Sequence, residues 1–368
     1  MRKLKVFSSR EYLPPETDPA SILYPHWPDL HSSELYRWRS PYVEYVQSNS
    51  HAIELVSLED ADVAILPFDW RSIRGDSWRG KASEAGQQMA IKFAELVRPT
   101  GKPLVVFFGS ECSNETIPIE NATVFRQSVY RSDPQFLETP IYPFFCEDFV
   151  KDYLGGKLPI RAKRDKPTIG FRGFARAPSA QIKLKAMFYH SQMLATQGRL
   201  GVSPWKGEVL RFEALSRIKR SNKTVSNIDI LDNAIFFEAR EPQAKMKARM
   251  DYVDNLVNSD YIFCCRGSGN YSNRFYEVLS CGRIPVFIDT DCKLPLDSII
   301  DWKKYCVWID EKDANDTAEI VADFHAGLPD SDFEELQRAC RSLWLDYLSP
   351  EGFYARFPQT LERLGVLQ

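Results

Sequence analysis

Residues 260 to 288 restrict the fold of this chain more than any other stretch: Asp260-Tyr-Ile-Phe-Cys-Cys-Arg-Gly-Ser-Gly-Asn-Tyr-Ser-Asn-Arg-Phe-Tyr-Glu277, then Val-Leu-Ser-Cys-Gly-Arg-Ile-Pro-Val-Phe-Ile288. Tyr261 to Cys265 is an apolar run of strand length, and a polar glycine loop follows it. The spacing then predicts a helix over about Tyr271 to Cys281 and a second buried strand over Arg283 to Ile288, a strand-helix-strand unit. A loop of small residues feeding a helix N-terminus presents free backbone N–H groups and the positive end of the helix dipole, which together make an anion site. Arg266 at the strand end and Arg274 near the helix start add guanidinium forks suited to phosphate oxygens.

A Gly-x-Gly turn alone is weak, and this one lacks both the third glycine of a dinucleotide fingerprint and the Gly-Lys-Ser/Thr of a P-loop. The whole run is far more specific. Arg266-Gly267, Arg274-Phe275-Tyr276-Glu277-Val278-Leu279-Ser280-Cys281-Gly282, Ile284-Pro285-Val286 and Asp289-Thr290-Asp291 resemble the signature of the exostosin family of glycosyltransferases. Leu294-Pro295 and Ile300-Asp301-Trp302 continue the likeness, and Asp251-Tyr252-Val253 through Ser259 matches the helix before the strand. Asp60 to Pro67 and Thr168 to Gly173 are fainter echoes.

The resemblance implies a GT-B fold: two Rossmann-like α/β domains facing across a cleft, with C-terminal helices crossing back to the N-terminal domain. The pattern of elements reaches only two parallel α/β domains. Lys3 to Phe7, Ala52 to Val56, Asp62 to Leu66 and Leu104 to Phe108 read as strands covered on both faces, with a helix over about Lys81 to Arg98. Lys151 to Pro167 is rich in Gly, Pro and charge and reads as a linker. A second alternating pattern follows: Thr168 to Arg172, a helix over about Ser179 to Ala195, Ala234 to Phe237, a helix over about Gln243 to Asn258, the signature unit, and Cys306 to Ile309. Asp332 to Tyr347 and about Arg356 to Leu364 read as amphipathic helices. The expected division is 1–150 for acceptor binding, 151–167 as linker, 168–330 for the donor and 331–368 as C-terminal helices.

A net charge of -3 and a pI near 6.1 argue against a nucleic-acid partner. The basic clusters Arg161 to Lys166 and Lys245 to Arg249 read as solvated faces. No run of apolar residues reaches membrane-span length, and no signal peptide is expected. The eight cysteines show no CxxC spacing and several lie in apolar strands, which suggests reduced, buried thiols. Five Asn-x-Ser/Thr sequons read as chance matches, because Asn270 lies inside the anion loop. The expectation is a cytoplasmic protein.

The resemblance implies that Arg274 meets a donor diphosphate and Glu277 accepts from ribose hydroxyls, against the plainer reading of an i,i+3 surface ion pair. Arg172 ends a strand in Gly170-Phe-Arg-Gly173 and is either a second cation for the diphosphate or a solvent-facing turn residue. Gly267, Ser268, Asn270, Tyr271 and Ser272 complete the expected donor loop, with helix capping compatible with binding. Asp289-Thr290-Asp291 has the spacing of a metal-binding Asp-x-Asp, but Asp60/Asp62 and Asp330/Asp332 share it. No metal site and no required cofactor are expected, with divalent-ion activation left open. An inverting transfer needs a carboxylate base at a strand C-terminus of the N-terminal half, where Asp69 and Glu111 qualify, each against an N-cap or loop reading; Glu16, Asp18 and Asp29 are next in line. Trp27, Trp38 and Trp70 could stack on an acceptor sugar, against the plainer reading that aromatic residues are more often core. The expected function is inverting transfer from a uridine diphosphate sugar to a glycan hydroxyl; a guanosine-dependent fucosyltransferase-like enzyme, a GT-B epimerase and an inactive glycan-binding subunit remain alternatives.

Overall fold

The computed structural model describes residues 3–30, 41–48, 52–74, 81–111, 113, 115–197, 205–231 and 241–367. The first half runs β1 (Leu4–Phe7), α1 (Val43–Gln47), β2 (Ile53–Leu55), β3 (Val63–Ile65), α2 (Glu84–Val97), β4 (Leu104–Phe108) and β5 (Ala122–Arg126). There follow α3 (Phe149–Tyr153), β6 (Thr168–Phe174), α4 (Ala180–Gln197), α5 (Lys206–Ile218), β7 (Val225–Leu231), α6 (Pro242–Val257), β8 (Tyr261–Cys264), α7 (Asn273–Ser280), β9 (Ile284–Asp289) and β10 (Val307–Asp310). The chain closes with α8 (Thr317–Gly327), α9 (Asp330–Leu343), α10 (Pro350–Ala355) and α11 (Phe357–Arg363). Trp38, Cys112 and the strand expected over Ala234 to Phe237 fall outside the described residues.

The chain divides into two compact units: Met1–Glu147 with Cys292–Ile300 and Trp344–Gln368, and Asp148–Asp291 with Asp301–Leu343. Each holds one five-stranded sheet, in the orders β2-β1-β3-β4-β5 and β10-β9-β8-β6-β7. Every pairing within them is parallel. Counted from the first strand of each unit, both sheets have the doubly wound order 2-1-3-4-5. The two parallel α/β domains that the GT-B class requires are therefore both present.

In the first unit, side-chain alternation sends Val105 and Phe107 to one face of β4 and Leu104, Val106 and Phe108 to the other. The second of these faces packs on Ala90, Phe93 and Val97 of α2. Phe353 and Tyr354 of α10 with Phe357 and Leu361 of α11 cover the first. The last two helices are thus part of this unit's core, whereas α9 belongs to the other unit.

Residues 151–167 are not a free tether. Gln337 accepts from the Arg161 N–H at 2.9 Å, the Arg161 guanidinium pairs with buried Asp260, and Arg283 donates to the Pro159 carbonyl at 2.6 Å. The Pro, Gly and charge content that reads as a linker instead lays an extended strap over the second unit, held by buried polar groups. The Lys245 to Arg249 cluster also departs from the solvated-face reading, because Arg249 is buried. All seven described cysteines are buried and outside any disulfide.

Phe357 is fully buried, with ring centroids 5.8 Å from Phe107 and 5.5 Å from Phe125. Phe357→Ala is expected to destabilise the protein by about 3–5 kcal/mol, read as a lower denaturant midpoint. An unchanged midpoint would mean that the last helices are dispensable to this core.

Candidate functional site

In a doubly wound sheet, ligands collect outside the strand C-termini where the direction of winding reverses. In the second unit that point lies between β6 and β8. The C-terminal end of β6 carries Arg172 and Gly173, and that of β8 leads into Cys265, Arg266 and Gly267, so the sequence-expected donor residues converge at one place on the sheet.

After β8 the loop folds back on itself. The Gly267 N–H bonds the Tyr271 carbonyl at 3.0 Å, and the Arg266 guanidinium bonds the Ser268 carbonyl at 3.0 Å. Asn270 is buried and tied to the end of β9: its amide donates to the Asp291 carbonyl at 3.0 Å and it accepts from the Thr290 hydroxyl at 2.8 Å. Asn270 therefore shapes the loop. Ser272 is the N-cap of α7 but its side chain makes no capping bond, so the helix start keeps donors for a ligand. Phe275, Val278 and Leu279 turn into the core, which leaves Arg274 and Glu277 on the opposite side of α7.

Arg274 and Glu277 do not pair with one another. Arg274 lies over the Phe171 ring at 4.0 Å and donates from Nη2 to the Arg172 carbonyl at 2.7 Å, while its Nε is buried without a partner. Gly173 makes this reach feasible, since a Cβ there would stand 2.6 Å from that Nη2. Glu277 accepts from the Tyr252 hydroxyl at 2.6 Å and from Arg249 at 3.2 Å. Arg249 in turn stacks 4.4 Å over Phe149. Burial, and then the neighbouring Glu277 charge, push the Tyr252 phenol well above its ordinary value, so it stays a donor.

Arg172 is committed elsewhere. Asp229 at the end of β7 pairs with one of its terminal nitrogens and Asp251 of α6 with the other at 3.0 Å. Two carboxylates already surround the charge expected to meet a diphosphate, so Arg172 braces β6, β7 and α6. Arg211 of α5 was not expected from sequence: burial, with a further contribution from nearby Arg274, lowers its pKa. That lowering comes first from burial, which penalises the charged guanidinium. Arg249, Tyr252 and Phe171 were also missed, although Arg249 and Tyr252 sit one helical turn apart, a spacing that puts them on one face of α6.

In the first unit the corresponding edge carries Asp69 and Glu111. Asp69 caps the turn Trp70–Ile73. Its Oδ1 accepts from the Arg71 N–H at 2.7 Å, its Oδ2 from the Tyr142 hydroxyl at 2.8 Å, and both accept from the Gly109 N–H at 3.1 Å. Burial pushes its carboxyl up, and these hydrogen bonds pull it back in part. Glu111 lies half-buried in the turn after β4.

The family model described as the Exostosin GT47 domain matches residues 211–324, which span α5 to α8. Exostosin-1 of Drosophila melanogaster is 34% identical over 99 residues, 27% of this chain and 12% of that protein. Human Exostosin-2 is 29% identical over 97 residues, 26% of this chain and 13% of its own length. The chain thus spans only a small part of the curated relatives it matches. A solved glycosyltransferase from Rickettsia africae ESF-5 aligns over 99% of both chains at 11% identity and a TM-score of 0.35.

Tyr252→Phe removes the phenol hydrogen bond to a carboxylate and is expected to destabilise the fold by about 1.5–3 kcal/mol, measured by urea unfolding. A neutral result would show that Glu277 is held by Arg249 alone. The residues from Arg266 to Glu277 lie within the segment, 211–324, that is similar to the Exostosin GT47 domain.

Proposed function

We propose that the chain transfers a sugar, with inversion, from a uridine diphosphate donor to a hydroxyl of a glycan. The observation that carries the reading is the start of α7, where uncapped N–H groups meet Arg274, whose buried Nε has no partner. In the step, the acceptor oxygen attacks the anomeric carbon, its proton passes to a carboxylate, and the bond to the diphosphate breaks. The departing charge is stabilised by Arg274, Arg266 and the helix terminus. Gly267, Ser268, Tyr271 and Ser272 line that approach, and Glu277, fixed by Tyr252 and Arg249, takes the ribose hydroxyls.

This chemistry needs no resident cofactor, and adding or chelating magnesium tests whether a divalent ion assists. A cytoplasmic setting fits the buried free thiols. Incubation with a panel of uridine and guanosine diphosphate sugars, followed by thermal shift and product analysis, identifies the donor; an epimerised donor formed without acceptor would overturn the transferase reading.

Arg274→Ala should abolish measurable uridine diphosphate binding by calorimetry, since it removes a charge-assisted contact. Unchanged affinity would confine Arg274 to its stack on Phe171.

Asp69 is proposed as the base, with Glu111 as the paired candidate. Its raised pKa makes a sign prediction: activity falls as pH drops through a value above that of an ordinary aspartate, because the protonated carboxyl cannot accept the acceptor proton. Asp69→Asn should lower kcat by about 10²–10⁴-fold with normal donor affinity. Loss of thermal stability with kcat intact would leave Asp69 its capping role alone, and loss of activity only in Glu111→Gln would move the base there.

A further inference from the structure

The helix α4 has two apolar faces. Ile182 is buried and Tyr189 is half-buried with its ring against Trp205 at 6.4 Å, so one face turns toward the protein. The other face carries Leu184, Met187, Phe188 and Leu194 at helical spacing, and it is open. Phe188 is 72% exposed, Met187 67% and Leu184 66%, the three most exposed large hydrophobic side chains among the described residues. Contiguous apolar surface of this kind marks an interaction site.

The charge around the stripe indicates what covers it. At about 100° of rotation per residue, Lys183 and Lys185 fall on opposite sides of Leu184, so a lysine borders the stripe on each edge. Both are exposed. No Asp or Glu occurs between Asp165 and Glu208, a span with Lys or Arg at 166, 172, 176, 183, 185, 199 and 206, in a protein whose net charge is -3. An apolar stripe flanked by lysines, whose stems extend along it while their ammonium groups reach outward, is the design of a helix lying in a lipid interface. This helix of a second copy would offer no carboxylate to either lysine. No helix among the described residues is long and apolar enough to cross a membrane, so the contact is peripheral.

We propose that the exposed face of α4 docks this protein on an anionic lipid bilayer. Leu184, Met187, Phe188 and Leu194 enter the acyl boundary while Lys183 and Lys185 meet the headgroup phosphates. The helix begins at Ala180, shortly after the Phe174 end of β6, so docking holds the second unit by the edge of its sheet that carries the candidate site. This inference does not depend on the identity of the sugar donor.

Sedimentation with phosphatidylcholine vesicles prepared with and without phosphatidylglycerol tests it on the full chain. The protein should pellet with the anionic vesicles and be released by added salt. Leu184→Ser combined with Phe188→Ser should weaken partitioning by roughly 100-fold or more, and Lys183→Glu with Lys185→Glu should abolish it; circular dichroism and binding of uridine diphosphate report that the fold and the donor site are intact. Failure of the wild type to pellet, or equal pelleting of the variants, would overturn the proposal. A wild-type dimer in analytical ultracentrifugation that Phe188→Ser converts to monomer would overturn it in favour of a second copy.

Discussion

The pairing of β6 with β8 is the constraint on which the second unit depends. It consists of Ile169 opposite Tyr261 and Gly170 opposite Ile262. Buried Asp260, just before β8, locks this register: it accepts from the Thr168 N–H at 2.8 Å, donates its own N–H to the Thr168 carbonyl at 3.0 Å, and pairs with Arg161. A buried carboxylate with all these partners is tolerable where an unpaired one is not. Gly170 matters for the same reason, since a Cβ there would lie 2.2 Å from the Ser259 hydroxyl. Because the two strands pair only near their starts, β6 continues along β7 to Phe174 while β8 ends at Cys264. Their ends part, and the opening receives the Arg266 loop and the start of α7.

The charges around that opening are sorted by what already neutralises them. Arg172 sits between Asp229 and Asp251, and Arg249 faces Glu277. Arg274 has an aromatic ring and a carbonyl for company instead of a carboxylate. A guanidinium over an aromatic face keeps its full charge and its hydrogen-bonding edge. Arg274 thus differs from Arg172 and Arg249 in having no carboxylate against it among the described residues.

Local order was legible in the sequence; long-range pairing was not. Leu104 to Phe108 is a strand with the expected bounds, and the signature segment forms its strand, helix and strand within a few residues of the expected limits. The strand Ala122–Arg126 was missed because only its last two residues are buried, which leaves no apolar run. Helix α5 was missed because charged residues interrupt its buried positions Ala214, Leu215 and Ile218. The anchors of Arg172 come from positions 229 and 251, and spacing along the chain cannot show which carboxylate will face which arginine. The strap at 151–167 was misread for the same reason, since its partners Asp260, Arg283 and Gln337 lie far along the chain.

The two units share a strand order and differ in chemistry. At the switch point of the first sheet, β1 ends in Phe7-Ser8-Ser9 and β3 leads into Leu66-Pro67-Phe68-Asp69, with no glycine loop and with a carboxylate where the second unit places arginines. The Ala20 N–H bonds the Pro67 carbonyl at 2.8 Å, and Ser9 caps the turn Arg10–Tyr12, so this edge is built by capping and backbone bonds. Topology fixes where a ligand can approach, and the side chains decide its charge. The match to the exostosin domain begins at 211, after β6. Phe171, the ring beneath Arg274, therefore comes from outside the matched segment, in the Thr168 to Gly173 stretch that echoes the family pattern only faintly.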